Sequence, residues 1–291
     1  MKIGLVTDST AQLSSAEVDR LEQLTGGLFA AVPLTVLVGG VAFADGEISA
    51  GQLCEKMTAG DDVSTSMATP TQFAEAYSTL RSRGAEAIIV ITMSGDLSGT
   101  RDSAVNAAES EDILIDVVDS RSTSAGQAGA VEVAVAGIRQ GLDVESIAGT
   151  VADWCASETR TVFVPGSLEH LRRGGRIGAA ASLLGRALQI VPVLGLNAGV
   201  VVPLARVRTR AKALDKIVAL STAAAEELSE HGPKVAVEIQ QAEGEIDDAD
   251  VVSLTERLSE LGVDTRFRTL STIITAHVGP GTIGVSVQTT P

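Results

Sequence analysis

Three times in the first 125 residues a short Val/Ile-rich run ends in hydroxyl groups and hands over to a helical pattern. That order of elements constrains the fold more than any other feature of the chain. Ile3–Thr7 leads into Asp8-Ser9-Thr10, and a helix is expected from about Ser14, with Glu17 at the capping-box position. Ala87–Thr92 leads into Ser94-Gly95-Asp96-Leu97-Ser98-Gly99-Thr100 and a helix to about Glu109. Ile113–Val118 leads into Asp119-Ser120 and an Ala/Val-rich helix from about Thr123. Strand–turn–helix alternation implies parallel strands, because a parallel neighbour needs a crossover and the crossover helix covers a sheet face. Strands covered on both faces are apolar runs, as these are. Residues 1–158 are therefore expected to form an α/β domain of three layers, doubly wound about a parallel sheet.

The second half reads differently. Helical patterns are expected over 167–173, 178–188, 209–231 and 247–261, with strand pairs at 190–196 and 199–207, and at 263–268 and 270–276. Hairpin spacing implies antiparallel or mixed pairing, so residues 159–291 are expected to form a two-layer α/β domain with a mixed sheet. The nineteen residues 187–205 carry no charge and would nearly span a bilayer. Pro192, Pro203 and the Asn197-Ala198-Gly199 turn instead favour strand–turn–strand, and no membrane span is expected.

Composition bounds the function. A chain of 291 residues suits two domains and can bury a core without staples. Its net charge of −15 argues against nucleic acid as a partner, since such binding needs cationic surface. Cys54 and Cys155 form no CxxC-type pair, and His170, His231 and His277 are dispersed, so no metal site, cofactor or disulfide framework is expected. The opening MKIGLVTDST lacks the apolar core of a signal peptide, which favours a cytoplasmic protein. Acidic Glu243–Asp250 is expected to be solvated surface.

Ligands of doubly wound sheets bind beyond the carboxyl ends of the strands. The residues expected there are Thr7, Asp8 and Ser9; Thr65 and Ser66; Thr92, Ser94, Ser98 and Thr100; Asp119 and Ser120. They are mostly neutral hydrogen-bonding groups with no Lys among them, a set that suits a carboxylate or phosphate. Taken singly, each also fits the plainer role of a helix cap. Thr65 and Ser66 stand ahead of Pro70, where the next helix is expected to begin. Ser94–Thr100 lacks the GK[ST] of a phosphate loop, and no GxSxG nucleophile elbow occurs. Asp8 and Asp119 would suit magnesium, although aspartates at strand ends more often tie down turns.

Basic residues cluster. From Arg172 to Lys216 there are nine Lys and Arg against one acid, Asp215. A local cationic window on an anionic chain is a functional hint, and Arg suits phosphate contact. Arg172–Gly178 reads as a flexible loop delivering guanidinium groups ahead of a helix. Arg206, Arg208 and Arg210 alternate and are expected on one strand face. His277 follows a Thr/Ile-rich run expected to be a strand, and Gly279-Pro280-Gly281 behind it makes a tight turn.

In order along the chain, Thr7-Asp8-Ser9, Thr65-Ser66, Ile91–Thr100, Val118-Asp119-Ser120, Arg172–Gly178, Arg206–Ala213 and His277–Gly284 resemble the segments of the DegV family of fatty-acid-binding proteins. The resemblance implies a two-domain fold with one long-chain fatty acid, such as palmitate or oleate, between the domains. It implies that Thr65, Ser66 and Ser94 bind the carboxylate with His277 close by. It further implies that Arg176 and Arg208 serve acyl-phosphate chemistry and the docking of a fatty acid kinase catalytic subunit. The protein would then be no enzyme itself but would present the acid for phosphorylation. Two positions depart from the family pattern: Met67-Ala68-Thr69 stand where Gln-Pro-Ser is usual, and Gly95 where a serine often follows Ser94.

Burying a sixteen-carbon tail would supply about 12 kcal/mol gross, against roughly 1.5–3 kcal/mol for each hydrogen bond to a charged head. The tail would dominate affinity and the hydroxyls would orient the acid. Two other readings remain open on the residues: a hydrolase using Ser94 or Ser66 with His277, and a binder of a small polar ligand like the distantly similar dihydroxyacetone kinases.

Overall fold

The computed structural model describes residues 1–183, 190–230 and 234–291. The chain folds as two compact units, one of residues 1–35 and 66–157 with Pro291, the other of residues 36–65 and 158–290.

The first half runs β1 (Ile3–Asp8), α1 (Ser15–Leu24), β2 (Phe29–Val32), β3 (Thr35–Val38), β4 (Val41–Ala44), α2 (Ala50–Ala59) and β5 (Val63–Ser66). It continues with α3 (Pro70–Ser82), β6 (Ala87–Thr92), α4 (Thr100–Ala108), β7 (Leu114–Asp119), α5 (Ala125–Gln140) and α6 (Val144–Ser157). The first unit is built on a four-stranded sheet ordered β2-β1-β6-β7, with every pair parallel. Alternate residues of its strands serve opposite layers. Leu5, Ile89 and Ile91 pack with Val131, Ala134, Ile147 and Val151 of α5 and α6, whereas a Cβ on Gly4 would touch Leu80 of α3. This is the expected three-layer parallel domain. Ser14 caps α1 with Glu17 closing the box, and Thr69 caps α3 ahead of Pro70.

The second half runs β8 (Thr159–Val164), α7 (Leu168–Arg173), β9 (Val191–Asn197), β10 (Val200–Val207), α8 (Arg210–Ser229) and β11 (Val235–Gln241), then α9 (Ala249–Ser259), β12 (Asp264–Thr269), α10 (Thr272–Val278) and β13 (Ile283–Thr289). Its six-stranded sheet is ordered β10-β9-β8-β13-β11-β12. β11 and β12 pair in parallel and the remaining neighbours are antiparallel, so the sheet is mixed, as expected. Val162, Val193, Val237 and Val285 face Ala213 and Ile217 of α8 and Val251 and Leu254 of α9, forming the two-layer core.

Several expectations need correction. Residues 36–65, assigned from sequence to the first domain, group with residues 158–290 in the second unit. They form a small sheet ordered β4-β3-β5 together with α2. Their anchors are distant in sequence: Asp45 accepts the Thr272 N–H at 3.0 Å and its hydroxyl at 2.7 Å. Leu270–Ala276 is mostly helix, not strand. Ser271 caps α10 by accepting the Ile274 N–H, Asp45 takes the Thr272 N–H, and these capped ends outweigh the β propensity of the Thr/Ile run. Consequently β12 finds its partner in β11 rather than in a hairpin.

The run Arg206–Arg210 is not one strand face either. β10 ends at Val207, and Thr209 caps α8 by accepting the Lys212 N–H. The expected helix over 178–188 begins as 3-10 turns over Gly178–Leu183, and residues 184–189 lie outside the described residues, as does His231. The uncharged stretch gives the β9–β10 hairpin. Among the described residues no helix is long and apolar enough to cross a membrane.

Candidate functional site

In the second unit, Thr65 at the end of β5 meets His277 in the last turn of α10. Their Oγ1 and Nε2 atoms are 2.8 Å apart, although 212 residues separate them. Both side chains are half-buried. Burial, aided by the nearby Arg176 guanidinium, pushes the His277 imidazole down to about 4, so the ring is neutral at physiological pH. No carboxylate is among the groups acting on it.

Close backbone approach holds the ring in place. A Cβ on Gly174 would lie 2.2 Å from His277 Nδ1, so only glycine fits beside that edge. Gly279, at φ +85°, lies against the His170 ring in the same way, and a Cβ there would fall 2.3 Å from His170 Cδ2. The turn behind α10 is braced on both sides. Thr282 Oγ1 accepts the Gly166 N–H at 2.7 Å, and the Glu243 carboxylate accepts the Gly281 N–H. Glu243 is thus a bracing residue rather than the solvated surface expected of it. Gly174 and Glu243 were missed as site residues because each acts through a contact remote in sequence, whereas the Gly279-Pro280-Gly281 turn and the adjacent Gly174-Gly175 pair were local signals.

In the first unit, the strand-end hydroxyls are mostly engaged in shaping the turns. Ser9 Oγ accepts the Leu34 N–H at 3.1 Å, Thr7 Oγ1 donates to Ile91 O at 2.8 Å, and Ser98 and Thr100 pair at 2.9 Å. Ser94 is fully buried. Its N–H donates to Ser122 O at 2.8 Å, and its hydroxyl oxygen accepts the Asp96 N–H at 3.2 Å. Ser66 is exposed, with its hydroxyl 3.4 Å from Met67 O. Asp119 accepts the N–H groups of Gly95 and Arg121 at 3.1 and 2.7 Å, the turn-tying role. Asp8 is buried and accepts the Met93 N–H at 2.7 Å. Among the described residues no group of three or more His, Cys, Asp or Glu is placed to hold a metal ion.

The arginines divide into two classes. Arg172 and Arg173, in α7 rather than a free loop, both bind Glu169, and Arg210 binds Asp250 at 2.5 Å. Arg176 lies in the turn after α7 and donates to Gly174 O. Arg206 and Arg208 are exposed and have no acidic partner among the described residues.

A family model described as an uncharacterised protein of the DegV family matches residues 2–290. A DegV domain-containing protein of Streptomyces coelicolor is 36% identical over 289 residues, covering 98% of each chain. Another, from Deinococcus radiodurans, is 34% identical over 291 residues and 99% of each chain. Among solved structures, a DegV family protein from Thermus thermophilus, described as binding fatty acid, superposes with a TM-score of 0.88. It is 30% identical, with 99% of this chain and 100% of that one covered. DegV of Bacillus subtilis, described as a fatty acid binding protein, is 25% identical with a TM-score of 0.85 over 99% of each chain.

Proposed function

The chain belongs to the DegV family, and from that premise we propose that it binds one long-chain fatty acid and acts as a carrier with no chemistry of its own. The observation that carries this reading is the neutral Thr65–His277 pair. With its proton on Nε2, His277 donates to Thr65, and the Thr65 hydroxyl hydrogen is then available to an acid oxygen. Such a relay polarises its members cooperatively, and the Arg176 charge nearby favours an anion. Ser66 and Ser94 are the further hydroxyls assigned to the acid group. The acyl chain supplies most of the affinity, at roughly 0.8 kcal/mol for each buried methylene. No cofactor enters the reading.

The finer part of the proposal concerns the fate of the acid. A separate kinase subunit supplies ATP in the cytoplasm, an oxygen of the bound carboxylate attacks the γ-phosphate, ADP leaves, and acyl phosphate results. Exposed Arg206 and Arg208, without an acidic partner among the described residues, suit contact with that partner or with phosphate on a chain of net charge −15. An independent hydrolase is disfavoured. A histidine held near 4, with no carboxylate acting on it, is a poor general base at neutral pH.

Native mass spectrometry of the protein as purified tests the reading. One fatty acid per chain is expected. A protein that is empty, and that binds short- and long-chain acids alike in competition calorimetry, refutes it.

A further inference from the structure

A hydrogen count at the end of β1 identifies a proton that the ordinary ionisation of aspartate would omit. Thr10 Oγ1 lies 2.5 Å from Asp8 Oδ1 and 2.7 Å from Gln127 Oε1. Both are acceptors if Asp8 is ionised, yet a hydroxyl carries one hydrogen. The two hydrogens of the Gln127 amide do not supply it: Nε2 donates one to Thr7 Oγ1 at 3.2 Å, and the other, directed at the Asp8 carboxyl, still leaves a single hydrogen for the two Thr10 Oγ1 contacts. Thr7 in turn donates to Ile91 O at 2.8 Å. One proton on Asp8 Oδ1 completes the set: Asp8 donates to Thr10, and Thr10 donates to Gln127. Asp8, Thr10, Thr7 and Gln127 are all fully buried, where a missing hydrogen bond is costly.

Among the described residues no counter-charge acts on Asp8. Its neighbours are Met93 at the end of β6, Gln127 of α5, Thr10 of the following turn and Val32 of β2, none of them titratable. Asp119 stands at the end of β7, with β6 intervening, and is occupied by Gly95 and Arg121 N–H groups. Burial is the largest influence on the Asp8 carboxyl and raises its pKa.

We propose that Asp8 keeps its proton in the folded protein at neutral pH and acts as a positioning residue, fixing the Met93–Ser94 turn without setting a negative charge behind Ser94. The consequence for ligand binding rests on the carrier reading, in which Ser94 serves the acid group. A carboxylate held there would be repelled by an ionised Asp8 through an interior that screens poorly. Reversing the Gln127 amide is the competing arrangement. It would let Thr10 donate to an ionised Asp8, but would leave Gln127 Oε1 facing a Thr7 oxygen whose hydrogen is already given to Ile91.

Carbon-13 NMR of the aspartate carboxyls decides between them on the wild-type protein, with Asp8 assigned through its backbone. A protonated carboxyl at neutral pH is expected, and a carboxylate signal overturns the proposal. Fatty-acid affinity supplies the second readout. Asp8→Asn keeps an acceptor for the Met93 N–H and a donor to the Thr10 hydroxyl, and loses only the acceptor for the Thr10 N–H, so its dissociation constant should rise no more than about threefold. Asp8→Ala should weaken binding about tenfold, a loss of about 1.4 kcal/mol. An Asn variant as weak as the Ala variant overturns the positioning role. If the wild-type protein takes up no fatty acid, the carrier reading fails, while the NMR result still stands or falls independently.

Discussion

Acidification from pH 6.5 to 4 should weaken the folded protein through His277, and the structure sets both the sign and the size. The imidazole titrates near 6.5 in an unfolded chain and near 4 here, chiefly because it is buried and secondarily because Arg176 is close. Between those values the unfolded state holds the extra proton. Stability contributed by the neutral ring is therefore complete above 6.5 and is lost as pH falls toward 4. The difference of about 2.5 units is worth at most about 3 kcal/mol, since the ring is only partly buried and partly screened. Urea midpoints for wild type and His277→Gln at the two pH values isolate the effect, because carboxylates common to both proteins cancel in the comparison. Wild type should lose the larger share, and Arg176→Gln should lose less than wild type. Equal losses in wild type and His277→Gln would refute the account of a buried, neutral imidazole.

Two further outcomes follow from the same geometry. Gly174→Ala places a Cβ 2.2 Å from His277 Nδ1, so the ring must move. A destabilisation of about 1–3 kcal/mol in thermal melts, with weaker fatty-acid binding by calorimetry, is expected; unchanged values in both measurements would remove the glycine from the site. Arg208→Ala removes an exposed charge with no acidic partner among the described residues and should leave lipid occupancy intact while lowering kinase-dependent phosphorylation about tenfold at low salt. Lipid loss in that variant would show that Arg208 serves binding rather than docking.

The parallel sheet was legible because its three longest strands obey a local rule. β1 and β6 are buried along their whole length and β7 is a partly exposed edge strand, yet in all three an apolar run followed by a hydroxyl turn announces the element. The 36–65 excursion was not legible. Nothing in its composition marks a break, and what fixes it is Asp45 reaching a helix start 227 residues away. The same contact explains the misreading of α10. Taken alone, a Thr/Ile run favours strand, whereas a run capped by Ser271 and Asp45 makes a short buried helix. Period-two alternation misled in the same way at Arg206–Arg210, where the Thr209 cap ends the strand and starts α8.

The candidate site divides along that line. Thr65, Ser94 and His277 were marked by their place after strand-like runs and by the family resemblance, and local pattern could have taken them no further. That Thr65 meets His277 depends on α10 being a helix, because a strand over 270–276 would have carried His277 out on an extended chain. The error in secondary structure and the key contact thus share one cause. Asp45 and Ser271 turn the Thr/Ile run into a helix, and Gly174, lacking a side chain, admits the imidazole edge beside it. The hydroxyl–imidazole pair proposed to serve an acid group is therefore set up by residues that carry no chemistry themselves. Substitutions at Asp45 or Gly174 belong with those at Thr65 when the site is dissected.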